Sequence, residues 1–335
     1  MMIRVGVFGS GRMAAIYGRI LQDHAIGQLV GFVGNSPGKC RDLEARFDVP
    51  AYPGAEYARL LSGHELDAVI VATPEWVREV PLQQATDAMV HLLIEKPLAD
   101  TWLLSKQLVG RLRGYPKVVR FCHVLRFSPR FAALKAAVVR GAVGDLRHIS
   151  SRRNSNRSRA ARVVGRTDLA FWLTPHDIDM MRWVTDSEIE SVYCLSRGAL
   201  DSTDDYVVSS LRFTNGVTAT AEVSWCTPPL SASSKEAVFE VRGTDGVITL
   251  DDSAMNVEIF SAGDQVTADD TYEAFEVAGQ PLGFFRNLVD DFLRTVSRAA
   301  PSDAVLTDAM EVARVSEMIR RSVARRAEVV RAEVE

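Results

Sequence analysis

A change of hydrophobic period at the very start of the chain governs what it can fold into. Ile3 to Phe8 is a short apolar run rich in β-branched residues, and after Gly9-Ser10-Gly11-Arg12 apolar residues recur at helical spacing through Met13, Ile16, Tyr17, Ile20 and Leu21. A strand, a glycine turn and a helix therefore come first. The grammar repeats: Gln28 to Val33 predicts a strand, Lys39 to Phe47 a helix, Asp67 to Thr73 a strand, Val77 to Met89 a helix and His91 to Glu95 a strand. Strands alternating with helices over about 120 residues dictate a doubly wound parallel sheet with helices on both faces.

Beyond Phe121 the grammar changes. Helices over Pro129 to Arg140 and around Asp177 to Val184 are followed by strand-like runs at Ile189 to Ser196, Tyr206 to Phe213, Val217 to Trp225, Ala237 to Arg242, Gly246 to Leu250 and Val257 to Ser261. Turn signals such as TNG and GTDG between them predict antiparallel hairpins. A chain of 335 residues also exceeds the ~250 to 300 residues that one core usually reaches. The expectation is an α/β Rossmann-type domain over 1–121 and an α+β domain with a largely antiparallel sheet over 122–335. Helices at Phe284 to Arg298 and Asp303 to about Val330 close the chain and are free to pack back on the first domain; the last ten residues read as a loose tail.

Composition excludes several classes. With 47% hydrophobic and 24% charged residues the chain is neither disordered nor collagenous. Its apolar runs stop well short of the ~20 residues of a membrane span, so a soluble protein without a membrane partner is expected. MMIRVGVFGSG enters a strand directly and shows no signal-peptide pattern, which predicts a cytoplasmic, reducing location. Cys40, Cys122, Cys194 and Cys226 lie far apart, and the six histidines have no ligand spacing against them, so neither disulfides nor a metal site is expected.

The formal net charge of −4 conceals a segregation: residues 1–119 carry 13 basic and 12 acidic side chains, 120–166 carry 12 and 1, and 167–335 carry 14 and 30. The basic block suits nucleic acid, an anionic small substrate or the protein's own acidic remainder. Within 147–166 the arginines, among them Arg152, Arg153, Arg157, Arg159, Arg162 and Arg166, lack interleaved aromatics and any adjoining helix-turn-helix or zinc motif. That argues against nucleic acid; a small anionic substrate and a solvated loop both remain open.

Four segments carry chemistry. Gly9, Gly11 and Ala14 form GxGxxA between strand and helix, where Gly9, Ser10, Gly11, Arg12 and Met13 would approach a pyrophosphate, unless the segment is a plain strand-to-helix turn. At the end of the second strand, where NAD-binding chains carry an acid for the ribose hydroxyls, Gly34 is followed by Asn35, Ser36 and Lys39. No carboxylate is there to repel a 2′-phosphate, so NADP is favoured over NAD. Glu95-Lys96-Pro97 ends a parallel strand at the edge where ligands bind open α/β sheets. In Pro175-His176-Asp177-Ile178-Asp179, His176 and Asp179 share a helix face and point to a site, unless Asp177 merely caps the helix and His176 is a satisfied core residue.

GxGxxA, EKPLA near residue 95 and HDID near residue 176 together resemble the Gfo/Idh/MocA oxidoreductase family, with further likeness in ATPEW (Thr73, Pro74), HVLRFSP (Arg126) and LTDAMEVA. The resemblance implies an NAD(P)-dependent oxidoreductase acting on a secondary alcohol or ketone of a sugar, nucleotide sugar, cyclitol or related polar substrate. It implies Lys96 and His176 as the catalytic pair, Asp179 as a group orienting substrate or imidazole, and a homodimer or homotetramer. One departure is Trp172, where family dehydrogenases commonly carry an Asp four residues before the histidine. Trp172 cannot take a proton but can wall a sugar ring. A catalytically impaired NAD(P)-binding sensor and an imine or keto reductase are therefore alternatives.

Overall fold

The computed structural model describes residues 2–161, 163–198, 200–202, 205–227, 235–251, 257–261, 264–268, 275–298 and 304–335; Arg162 lies outside them. The chain divides into two compact units, Met1–Val124 with Glu273–Met310, and Leu125–Tyr272 with Glu311–Glu335. The first unit thus takes in a C-terminal segment that a division at 121/122 assigns to the second.

In the first unit β1 (Ile3–Phe8), α1 (Arg12–Gln22), β2 (Gly27–Gly34), α2 (Pro37–Phe47), β3 (Ala51–Pro53), α3 (Tyr57–Gly63), β4 (Ala68–Val71), α4 (Glu79–Asp87), β5 (His91–Ile94), α5 (Trp102–Leu112) and β6 (Val119–Phe121) alternate. The strands form one parallel sheet in the order β3-β2-β1-β4-β5-β6. Their near-continuous apolar runs follow from burial on both faces: Phe8, Val33, Val71 and Ile94 are buried on one face, and Val7, Phe32, Ile70 and Leu93 on the other. The order reverses at β1 and β4, so the carboxyl ends of those strands open the crevice in which doubly wound sheets bind ligands. The three-residue strands β3 and β6 are too short to show a period in sequence.

The second unit contains α6 (Pro129–Val139), β7 (Leu146–Asn156), α7 (Arg157–Ala160), α8 (Leu169–Trp172), α9 (Thr174–Thr185), β8 (Ile189–Ser196), β9 (Tyr206–Phe213), β10 (Thr218–Thr227), β11 (Lys235–Gly243), β12 (Val247–Asp251), β13 (Val257–Ser261) and β14 (Asp264–Ala268). Further along the chain come β15 (Phe275–Val277), β16 (Gln280–Leu282), α10 (Phe284–Ser297), α11 (Ala304–Arg325) and β17 (Val329–Val330). Seven strands form a mixed sheet, β12-β11-β7-β10-β9-β8-β17, antiparallel except where β7 runs parallel to β10. Helix α9 packs across β7 and β10, and the Phe131 ring of α6 meets Phe239 of β11 at 5.5 Å.

Two expectations are corrected here. Leu146–Asn156, read as part of an arginine-rich loop, is a strand inside the sheet. The C-terminal residues are not a loose tail: the final helix stops at Arg325, Arg326 turns the chain at φ +55°, and Val329 and Val330 pair with β8. Val329 and Val334 are buried, which supplies the anchor that the polar sequence around them hides.

Candidate functional site

Gly9 follows β1 at φ +144°, and a Cβ there would stand 2.6 Å from the Ala72 carbonyl oxygen. Only glycine fits where these two backbones close on each other. Gly11 is the N-cap of α1 and offers no capping side chain, and Arg12, at the first helical position, is exposed. A helix start without a side-chain cap is the kind of site at which first-turn N–H groups meet an anion. Thr73, after β4, is buried, and its hydroxyl finds no hydrogen-bond partner among the described residues. An uncapped helix start beside a close-packed glycine and an unsatisfied buried hydroxyl fit a dinucleotide phosphate. Ser10 and Met13 are half-buried in the same turn, whereas Pro74 is exposed.

The end of β2 is bare of carboxylates. Asn35 and Lys39 are exposed, and the Ser36 hydroxyl caps α2 by accepting from the Lys39 N–H at 3.5 Å.

Lys96 sits half-buried after β5, between two residues locked in place. The Glu95 carboxylate accepts from the Tyr17 hydroxyl at 2.6 Å and from the Lys96 backbone N–H at 3.1 Å. Burial pushes the Glu95 carboxyl up, opposed by the Tyr17 bond and by the cations Lys96 and Arg78. The Tyr17 hydroxyl also meets Cys122 Sγ at 3.2 Å, and burial raises both phenol and thiol.

Arg78, which sequence reasoning missed, lies beneath this segment with only 1% exposure. Its guanidinium donates to the carbonyls of Glu95, Pro97 and Leu98 on one side and of Thr73 on the other. One buried cation thus staples the turn after β4 to the turn after β5 and brackets Lys96 through its neighbours. Glu95 and Glu75 offset its charge. Nothing in PEWVRE distinguishes this arginine from a solvated one.

In the second unit His176 is half-buried in the first turn of α9, and Trp172, the last residue of α8, is half-buried before it. The two acids flanking Ile178 are sealed in. Asp177 is 1% exposed and receives both Nε and Nη2 of Arg153, at 2.8 and 3.0 Å. Asp179 is 2% exposed and receives Nη2 and Nε of Arg126, at 2.6 and 3.1 Å. These bidentate forks direct Arg126, Arg153 and Asp179, expected to face substrate, at one another or at Asp177 instead. Asp177 does not cap the helix, which starts earlier, with Leu173 at its N-cap.

Arg152 points to the opposite face of the sheet and pairs with Glu236 at 2.8 Å. Arg157 stands exposed at the start of α7. Lys96 belongs to the first unit and His176 to the second. Among the described residues no group of three or more His, Cys, Asp or Glu could hold a metal ion, and no helix is long and apolar enough to cross a membrane.

Comparison with known proteins gives this geometry a context. Residues 3–123 match the oxidoreductase family with the NAD-binding Rossmann fold, and 131–249 match the Gfo/Idh/MocA C-terminal domain. The chain is 28% identical to inositol 2-dehydrogenase of Acidothermus cellulolyticus over 57% of its length and 55% of that protein's. It is 25% identical to UDP-N-acetylglucosamine 3-dehydrogenase of Acidithiobacillus ferrooxidans over 66% and 67% of the two chains. Matched stretches span between about half and two thirds of these and similar curated relatives. A probable dehydrogenase from Thermotoga maritima shares the fold with a TM-score of 0.82 at 19% identity, covering 99% of this chain and 100% of the other. With both halves matched by models of one family, the chain belongs to the Gfo/Idh/MocA oxidoreductases.

Proposed function

We propose that the protein is an NAD(P)-dependent oxidoreductase that interconverts a secondary alcohol and its ketone on a sugar, nucleotide sugar or cyclitol. The observation that carries this reading is Lys96, held at the carboxyl end of β5 by the Glu95, Tyr17 and Arg78 bonds, in a sheet whose glycine turn fits a dinucleotide phosphate. Bound nicotinamide supplies the hydride acceptor or donor. The Lys96 ammonium donates a hydrogen bond to the substrate oxygen and stabilises charge as the carbinol C–H bond breaks. His176 takes the hydroxyl proton, the general-base role that an imidazole most often fills in such a step. The relatives' names support the substrate class: one acts on inositol and one on a UDP-sugar.

The absence of a carboxylate at Gly34, with Asn35, Ser36 and Lys39 beyond it, supports NADP over NAD. The anionic-substrate expectation narrows, because Arg152 and Arg153 already face Glu236 and Asp177. Tyr193, Leu195 and Val208 expose apolar area on one face of the second unit's sheet, which supports self-association through that face and is checked by light scattering of the purified protein.

The test is absorbance at 340 nm with NADP or NAD over inositols, UDP- and dTDP-sugars, uronates and keto compounds. Lys96→Ala and His176→Ala should each lower kcat by about 10²- to 10⁴-fold. Unchanged kcat in either variant removes that residue from the chemistry. Trp172 favours a second reading, a cofactor-binding sensor, and that reading is adopted if cofactor binds but no compound is turned over.

A further inference from the structure

Gly34 is enclosed in an unusual way. A Cβ added there would lie 2.3 Å from both Cβ and Oγ of Ser10, and 2.9 Å from the Ser10 nitrogen. Atoms cannot approach so closely, so the Ser10 side chain occupies the volume through which any side chain at position 34 would leave the backbone. Neither backbone is free to retreat. The Gly34 carbonyl accepts from the Gly54 N–H at 2.8 Å and from the Cys40 thiol at 3.4 Å, while the Gly9 N–H donates to the Val33 carbonyl at 2.6 Å. The same strand end is paired to Pro53 of β3.

We propose that Ser10 and Gly34 are a coupled steric pair that sets cofactor choice. Ser10, reaching from the glycine turn, bars a carboxylate from the end of β2 and leaves that end to Asn35, Ser36 and Lys39. This rests on the NADP reading above and deepens it, because the specificity element becomes a contact between two loops rather than one residue. Its consequence is non-additivity: an acid at position 34 cannot serve the ribose while Ser10 retains any side chain, and Ser10→Ala keeps the blocking Cβ.

The experiment is a double-variant cycle, Ser10→Gly, Gly34→Asp and both together, with dissociation constants for NADPH and NADH read by nucleotide fluorescence and folding checked by thermal melting. Wild type should bind NADPH more tightly than NADH. Gly34→Asp alone should weaken both nucleotides, and adding Ser10→Gly should recover NADH but not NADPH, with a coupling of roughly tenfold for NADH. Gly34→Ala, which adds the Cβ without charge, should weaken both nucleotides beside Ser10 and neither beside Gly at position 10. Equal NADH affinity in Gly34→Asp and the double variant overturns the steric pair. Wild-type NADH affinity equal to or above that for NADPH overturns the NADP reading instead, and the coupling is still read from the cycle. Should Gly34→Asp fail to fold, the Gly34→Ala arm decides.

Discussion

Tyr17 and Glu95 show how much depends on one hydrogen bond in a dry setting. Burial raises the Glu95 carboxyl above its ordinary value near 4.3, so the folded state binds more protons than the unfolded chain between those two values. Stability accordingly falls as pH rises through that window. The Tyr17 bond pulls the carboxyl back down, and Tyr17→Phe should widen the window and cost about 1 to 2 kcal/mol at neutral pH. Glu95→Gln should flatten the same pH dependence. Urea denaturation at a series of pH values separates the two, and an unaltered slope in Tyr17→Phe counts against the assignment. Of this cluster the sequence exposed Glu95 and Lys96 through EKP, but not Tyr17 or Arg78. Their roles arise from burial, and a tyrosine at helical spacing or an arginine after PEWV is as readily solvated.

Strand β7 carries both kinds of ion pair, one on each face. Ser151 and Arg153 stand opposite Phe239 and Ala237 on the face that α9 covers, and Arg152 stands opposite Val238 on the other. Removing Arg153 leaves the sealed Asp177 carboxyl without its cation, so Arg153→Met should cost roughly 3 to 5 kcal/mol. Arg152→Met breaks a pair that is largely exposed and should cost under about 1 kcal/mol. Thermal melts of the two variants compare neighbours on one strand, and equal losses would contradict this division of faces. The pattern was illegible beforehand because strand prediction looks for apolar residues at every second position. After Ile149 the inward side chains are polar, and their partners lie far along the chain. By contrast Ile189–Ser196 and Tyr206–Phe213 were legible to the residue, since their alternation is apolar.

Part of the segregated charge of the whole chain is answered within the second unit. Lys135 meets Asp186, Arg126 meets Asp179, Arg152 meets Glu236 and Arg153 meets Asp177, so part of the basic block is matched by acids that follow it in sequence. The chain's end joins the same scheme. Arg331 reaches Glu311 at 2.9 Å and Glu188 at 3.4 Å, Arg182 forks onto Glu188, and the Arg314 guanidinium donates to the Val334 carbonyl at 2.6 Å. Burial raises the Glu311 carboxyl, and its neighbouring arginines hold it down. Deleting residues 327–335 would remove β17 from the edge of β8, expose the surface under Val329 and Val334, and take one cation from Glu311. The expected loss is roughly 3 to 5 kcal/mol from the two valines and the weakened ion pairs. Arg331→Met in the full chain isolates the electrostatic share: it should destabilise less than the truncation and more at pH 8 than at pH 5, because protonation of Glu311 relieves the missing charge. Calorimetry of both variants at the two pH values makes the comparison. Equal melting temperatures for the truncated and full-length proteins would mean that the sheet does not depend on its last strand.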